Sequence, residues 1–349
     1  YKLDDYRPYL FKTSDYGASW KKITEGIPEN DFTRVIREDL VNPGLLYAGT
    51  ESGVYFSCDD GASWQPFSGN LPVVPIHDLA IRDDDLIAAT HGRSFWITEG
   101  LCLLRQLASE SVDPVQLFKP ALALRMSGDY RFQADLSETS GKQYSVGLGM
   151  PGAFYVDKMS DGSLQRRMLD AGANPRSGVV LHYHFQEEPQ HEVTLSIHDV
   201  DGVEIRSFSS VALQPKGTSA KKDHETPKDP VVPKRAGMNR FVWDMHHPPG
   251  TMLLGEDERP AGPIAVPGHY EARLIVSDNI LRQPFEIRKD PRIVMTQAGF
   301  DAQFKLAIRI RDKLSVINEA VNELRSVRRQ LDEWVARAKG GSGEQPVAE

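Results

Sequence analysis

The chain is short of cysteine, of long apolar runs and, over its first hundred residues, of positive charge. Only two of its 349 residues are cysteine, Cys58 and Cys102. Two thiols cannot build a disulfide framework, so two buried thiols are expected and the compartment stays open on this count. No apolar run approaches the ~18 residues that cross a bilayer, so no membrane span is expected. Residues 1–100 carry 9 Lys and Arg against 16 Asp and Glu, a net of −7 within a chain total of −8. Nucleic-acid binding draws on Lys and Arg that neutralise phosphates, and this front end sets nucleic acid aside as a partner. A nucleotide-binding glycine loop, a nucleophile elbow and a metal-ligand motif are also missing, so neither cofactor nor metal is expected. No Met or basic-then-apolar segment opens the chain, so address information is expected to be absent or removed.

What is present is ordinary for a folded chain. Hydrophobic residues make up 40% and charged residues 26%, a balance that opposes global disorder. Glycine and proline are plentiful, at 28 and 23 residues, which points to many turns rather than helical bundles. The length suits two or three domains.

The strongest feature is an internal repeat. Thr13-Ser14-Asp15-Tyr16-Gly17-Ala18-Ser19-Trp20 recurs 44 residues later as Ser57-Cys58-Asp59-Asp60-Gly61-Ala62-Ser63-Trp64. A second register repeats as well: LLYAGTESGVYF (45–56) matches DLIAATHGRSFW (85–96), with Thr50 on Thr90 and Tyr55 on Phe95. Two interleaved repeats of 40 to 44 residues, built of short strands and turns, are the pattern of a four-stranded propeller blade. The motif's chemistry is readable. Asp15 and Asp59 can accept backbone N–H bonds across a tight turn. Gly17 and Gly61 supply a positive φ, and Trp20 and Trp64 cover the hairpin with a large apolar surface.

This motif resembles the Asp box of the BNR-type β-propellers, and the wording DDYRPYLFKTSDYGASW, NPGLLYAGTESGVYFS and ATHGRSFWI is similar to the last blades of large bacterial BNR/sortilin-like proteins often labelled glycosyl hydrolases. The resemblance implies that Asp15, Gly17, Trp20, Asp59, Gly61 and Trp64 are structural and sit on outer hairpins. It also implies that the opposite face carries ligand. Glu51-Ser52-Gly53 and His91-Gly92-Arg93 occupy equivalent turns on that face, with Asp31 and His77 in or near the connections that precede the next strands. Glu51, His91 and Arg93 are therefore the candidate ligand-binding residues, and no catalytic residue is assigned. A closed propeller needs at least four blades; about two are expected in residues 1–108, so the chain is expected to be part of a longer protein.

Beyond residue 112 the period changes. VVLHYHF (179–185), EVTLSIHD (192–199), NRFVWDM (239–245) and HYEARLIVS (269–277) alternate apolar and polar residues between Gly-containing turns, which reads as an antiparallel sandwich over 113–292. It resembles the Ig-like modules that follow the propeller in this family. LQPKGTSAKKDHETPKDPVVPKRAG (213–237) reads as a flexible surface loop. His182 with His184, and His246 with His247, lack the three or four convergent ligands of a zinc site. Residues 296–339 read as one amphipathic helix, with Ile310, Leu314, Ile317, Val321, Leu324, Leu331 and Val335 in a narrow seam like that of a coiled coil. The seam is expected to pack on the sandwich, on a second helix or on a second copy of the chain. Residues 340–349 read as a disordered tail.

The expected fold class is thus mainly β: terminal BNR-type propeller blades, an Ig-like antiparallel sandwich, then a long helix. The resemblance implies a secreted or periplasmic protein that binds glycan or peptide, with the tail of a glycoside hydrolase as the alternative. Glycoside hydrolysis needs two carboxylates set across the scissile bond. Asp83, Asp84 and Asp85 supply carboxylates, but between strands on the Asp-box face. A sortilin-like receptor is excluded in its cysteine-rich part, which two cysteines cannot supply.

Overall fold

The computed structural model describes residues 2–67, 69–109, 111–126, 141–147, 150–158, 164–169, 172, 178–211, 230–254 and 261–340. The chain is mainly β. No helix among the described residues is long and apolar enough to cross a membrane.

The front of the chain forms three antiparallel sheets. The hairpin β1 (Phe11–Lys12) with β2 (Lys21–Lys22) comes first. A four-stranded sheet follows in chain order: β3 (Thr33–Glu38), β4 (Leu46–Thr50), β5 (Val54–Ser57) and β6 (Gln65–Pro66). The third sheet is β7 (Ile76–Arg82), β8 (Asp85–Thr90) and β9 (Phe95–Glu99). Every residue of β4 is buried, because its alternating side chains serve two different cores. Leu46 and Ala48 join Leu10, Ile23, Ile27, Tyr55 and Trp64 toward the β1–β2 hairpin. Tyr47 turns the other way, into a cluster with Ile76, Leu79 and Leu86 of the third sheet. The four-stranded sheet is therefore a middle layer.

Trp64 fastens it to the first hairpin. Its indole N–H donates to the Ile23 carbonyl at 2.8 Å, and its backbone N–H to the Glu25 carbonyl at 2.8 Å. Gly26 sits so close that a Cβ there would stand 2.2 Å from the Trp64 carbonyl oxygen, at a φ of +94°. Trp20, at the same place in the first repeat, is 61% exposed, whereas Trp64 is 3% exposed.

A helix, α1 (Leu101–Ser109), closes this part and was not anticipated in the sequence. Leu101 is buried in the β7–β9 core. Arg105 donates from Nε to Asp39 Oδ1 at 2.9 Å and from Nη1 to Asp84 Oδ1 at 3.0 Å. Burial pushes Asp39 upward, but the Arg105 guanidinium and the Val41 and Asn42 N–H groups outweigh it and hold its carboxyl below the usual range.

The second half contains two facing sheets. One is β10 (Val115–Leu117), β15 (Val179–Phe185) and β18 (Gly237–Trp243), in that order. The other runs β11 (Ala123–Arg125), β20 (Asn279–Lys289), β19 (Gly268–Val276), β16 (Val193–His198) and β17 (Glu204–Ser209). A separate three-stranded sheet holds β12 (Gly141–Gly147), β13 (Met150–Lys158) and β14 (Leu164–Met168). Strict alternation along β15 buries Val179, Leu181, Tyr183 and Phe185, and these meet Leu195, Ile197, Leu274 and Phe285 of the other sheet in one cluster. Trp243, fully buried, lies edge-on to Tyr270 and Phe285 at 6.0 and 6.2 Å.

The two cysteines, expected as buried thiols, are free, but Cys58 is exposed and Cys102 half-buried. Two further expectations change here. The sheets are not antiparallel throughout, because β11 pairs in parallel with β20. Strand β20 has eleven residues, and a second neighbour satisfies backbone groups that its edge would otherwise leave open. The loop expected over 213–237 is shorter at its end. Residues 212–229 lie outside the described residues, but Val232 is 1% exposed, and the Pro233 carbonyl accepts the Tyr183 hydroxyl at 2.6 Å.

The long helix α2 spans Gln297–Gly340. The Thr296 hydroxyl accepts the Gly299 N–H at 3.2 Å, an N-cap. The segment 248–254 straps one face of the helix. Asn318 and Asn322 donate to the carbonyls of Thr251 and Met252, each at 2.7 Å, and Arg325 donates to that of Leu254 at 2.8 Å. The apolar seam does not pack on the sheets: Ile310, Ile317 and Leu324 are 52%, 56% and 69% exposed. The strap offers mainly carbonyl and N–H groups, which Arg, Ser and Asn satisfy and which apolar side chains would leave unpaired. Residues 341–349, expected as a tail, lie outside the described residues.

The two motif tryptophans give a matched test. Trp64→Ala should cost about 3–5 kcal/mol of folding free energy, and Trp20→Ala less than about 1 kcal/mol. Chemical denaturation of the two variants beside the parent measures both.

Candidate functional site

The β4–β5 and β8–β9 turns lie at equivalent ends of their sheets, and each is stitched to the strand that precedes it. The Thr50 N–H donates to the Gly53 carbonyl at 2.9 Å, and the Glu51 N–H to the Phe32 carbonyl at 3.1 Å. In the next sheet the Thr90 N–H donates to Ser94 at 3.2 Å, and the His91 N–H to the Pro75 carbonyl at 2.9 Å. The second turn is one residue longer, and Gly92 and Ser94 take up the extra residue at positive φ, +85° and +64°.

Asp31 holds the first turn from beneath. It is 4% exposed; its Oδ2 accepts the hydroxyls of Thr50, at 2.9 Å, and of Ser52. Its Oδ1 accepts the Ser52 N–H at 3.0 Å. All these acceptor sites face inward. Counting outward from the Glu51–Phe32 and His91–Pro75 bonds, the residue in the matching place of the second repeat is Val74, also buried. The first turn is thus held by a carboxylate, whereas in the second the Thr90 hydroxyl donates to the Ser94 carbonyl at 2.6 Å and accepts the Arg93 N–H at 3.2 Å.

The register of each sheet shifts once, in the same place. In β3 the shift falls between Thr33 and Val35, and in β7 between Ile76 and Asp78. The extra residues are Arg34 and His77. A bulge takes a residue out of the ladder and re-aims its side chain, and each of these reaches the turn beside it. Arg34 pairs with Glu51, its Nε and Nη2 both donating to Oε2, the Nε bond at 2.8 Å. His77 stacks on His91, with centroids 4.9 Å apart and planes 12° from parallel. Two bulge–turn pairs, one charged and one aromatic, therefore stand at matching positions of successive sheets.

Below them opens a cleft of about 650 Å³, lined by Arg7, Tyr9, Phe32, Arg34 and His77 among others. The Arg34 guanidinium lies 4.7 Å over the Phe32 ring. Arg7 pairs with Asp5 at 2.7 Å, and the Tyr9 hydroxyl donates to the same carboxylate at 2.6 Å. Thr33 ties this arm to β3, accepting the Tyr9 N–H at 3.2 Å and donating to the Tyr9 carbonyl at 2.9 Å. Aromatic faces, fixed cations and carboxylates around one concavity suit a polar ligand with some apolar surface.

Of the three residues singled out in the sequence, Glu51 and His91 each pair with a bulge residue at this cleft. Arg93 does not join them: its N–H donates to the Thr90 hydroxyl, its carbonyl accepts the Trp96 indole, and it remains exposed. Arg34 and the role of Asp31 were missed. The available signal was positional, since Arg34 and His77 each follow the first residue of their strand.

The motif aspartates stand apart from this cleft. Asp15 Oδ1 accepts the Ser19 N–H and the Thr13 hydroxyl, each at 2.8 Å, and Oδ2 accepts the Ser19 hydroxyl at 2.6 Å. Asp59 repeats the set with Ser63 and Ser57, at 2.8, 2.7 and 2.5 Å. Gly17 and Gly61 have φ of +93° and +85°. Asp84 belongs to the Arg105 network. The paired histidines are separately engaged: the His184 ring contacts the Asp113 carbonyl at 3.2 Å, and His247 packs 4.7 Å from Phe304, where burial lowers it to about 4. Among the described residues, no three His, Cys, Asp or Glu side chains stand together as a metal-binding group.

No protein-family model matches the chain, and no curated protein does.

Asp15 is lowered from 3.8 to about 2 by the Ser19 hydroxyl and N–H and by Thr13. Asp59 reaches about 2 as well, its burial outweighed by Ser63 and Ser57. Both folded values lie below the unfolded one, so this stabilisation is whole above about pH 4 and lost as pH falls through about 2. Acid unfolding followed by tryptophan fluorescence should show a smaller loss over that interval in Asp59→Asn than in the parent.

Proposed function

We propose that residues 1–108 are terminal blades of a BNR/Asp-box β-propeller joined to an Ig-like β-sandwich, and that the protein is a secreted or periplasmic binding module for glycan or peptide. The ligand sits against the turn face, where Glu51 and His91 contact it from their places beside Arg34 and His77, with Arg93 at the rim. The observation that carries this reading is the repeated bulge–turn pair. Two ordered polar groups at matching places of successive sheets, above a cleft with aromatic walls, are what a binding face requires.

The blade reading draws on the repeat and on the two tryptophans. Trp64 is seated on the Ile23–Gly26 ridge of the preceding hairpin. Trp20 is built the same way and carries the same surface outward, ready for the ridge of a further Asp-box repeat. The bonds that Asp15 and Asp59 accept from within their own turns support a structural role for the Asp boxes.

A binding screen of glycans and peptides on this chain tests the reading. The best ligand should lose about tenfold or more in affinity in Glu51→Gln and in His91→Ala, on the scale of one charge-assisted or stacked contact. Arg93→Ala should lose less. Unchanged affinity in both of the first two variants would move the ligand elsewhere. Turnover of a bound glycan, abolished by a carboxylate change on this face, would replace the binding module with a glycoside hydrolase.

A further inference from the structure

Helix α2 is amphipathic in the unexpected sense, with its apolar side turned to solvent. The face toward the strap is polar along most of its length. Ser315 accepts the Thr251 N–H at 3.0 Å, Asn322 accepts that of Leu254 at 2.8 Å, and Arg311 donates to the Pro248 carbonyl at 3.3 Å. About 200° round the helix, the opposite face runs from Leu306 to Trp334 in alternating steps of four and three residues. Ile310, Ile317, Leu324 and Leu331 fill it, each between 52% and 69% exposed. A 3.5-residue repeat of roughly 42 Å, apolar but for Lys313, is a coiled-coil seam, and its complement is another helix with the same repeat. Residues 327–338 are also exposed all round. A free helix of about a dozen residues is marginal in water, so this segment gains most from a partner.

We propose that the partner is α2 of a second copy of this chain, docked antiparallel. The charges select both the occupant and the direction. Lys313 is the one charged residue in the seam. A parallel, in-register pair would set Lys313 against Lys313, a like-charge contact inside the interface. In the antiparallel register that places Ile310 against Val327, Lys313 meets Leu324 of the second copy and its ammonium lies beside the Glu323 carboxylate there. The same register sets Ile317 against Ala320, large against small, and Arg309 against Gln330, with no like-charged pair along either flank. It brings about sixteen seam side chains together, at roughly 100 Å² each, which reaches the ~1,600 Å² of an ordinary stable interface. The contact is two-fold and closes on itself, giving a dimer and not a filament.

Sedimentation equilibrium on the full 349-residue chain decides the matter. The expected mass is twice 39.0 kDa at micromolar concentration. Leu324→Arg, at a site already 69% exposed, should return the monomer with an unchanged unfolding midpoint for the sheets. A parent that is monomeric under these conditions overturns the proposal and leaves the seam to a helix from another source. So does a Leu324→Arg variant that stays dimeric. Direction is read separately, in chains with Cys58 and Cys102 replaced by Ser. Mixing Ile310→Cys and Val327→Cys chains under oxidation should give the mixed disulfide in preference to either homotypic one. Homotypic Ile310→Cys crosslinks overturn the antiparallel register. The exchange Lys313→Glu with Glu323→Lys should restore dimerisation that Lys313→Glu alone weakens.

Discussion

The seating of one indole on the preceding hairpin organises the front of the molecule. No strand ladder joins β2 to β3–β6. What joins them is the seating of Trp64, through its ring and through its backbone N–H bond to the Glu25 carbonyl. A large apolar ring excludes water from the junction, while one directed N–H bond to the Ile23 carbonyl fixes its orientation. Gly26 permits the approach, because any side chain there would occupy the space of the Trp64 backbone. With that junction set, β4 is covered on both faces, and its ends can present the Thr50–Val54 turn in one orientation. The charged and aromatic pairs at the turns therefore inherit their precision from an apolar contact on the other side of the sheet.

Local chemistry was legible in the sequence and long-range chemistry was not. The two eight-residue motifs could be read as tight turns because every group involved lies within four residues of its aspartate. Strands such as VVLHYHF were legible for a similar reason: a period of two needs only one buried face. Arg34 and the bulge position of His77 were not, because a bulge is defined by the partner strand, and nothing in TRVIRE alone says which residue leaves the ladder. Asp31 looked like a polar residue in a connection, yet its partners are about twenty positions away. Helix α1 hid for a different reason. Its nine residues are too short to show a clear period, and the Arg105 contacts that hold it reach back 21 and 66 positions.

The long helix separates periodicity from burial. The steps of three and four identified a helix within one residue of its observed ends, but a period says only that an apolar face exists, not what covers it. The outcome turned on the strap, whose backbone carbonyls demand donors. Amide and guanidinium side chains met that demand on one face, which left the leucines and isoleucines on the other. The parallel pairing of β11 with β20 follows the same logic of satisfying backbone first. An exposed run of main-chain groups attracts whatever segment can close it, and that need overrides the simple alternation of strand directions.

Where the strap ends has a mechanical consequence. Among the described residues, the last bond from it to the helix is that of Arg325 to the Leu254 carbonyl, and about fifteen further residues extend past that point, roughly 22 Å. The bond is a fulcrum and the rest of the helix an arm. A tilt of about 10° at the fulcrum would carry the tip roughly 4 Å, while the strapped portion moved hardly at all. Sub-ångström adjustments in the 248–254 segment are thus magnified at Trp334, and the stiffness of the seven hydrogen bonds between the described strap and the helix sets how well the position of the far end is defined.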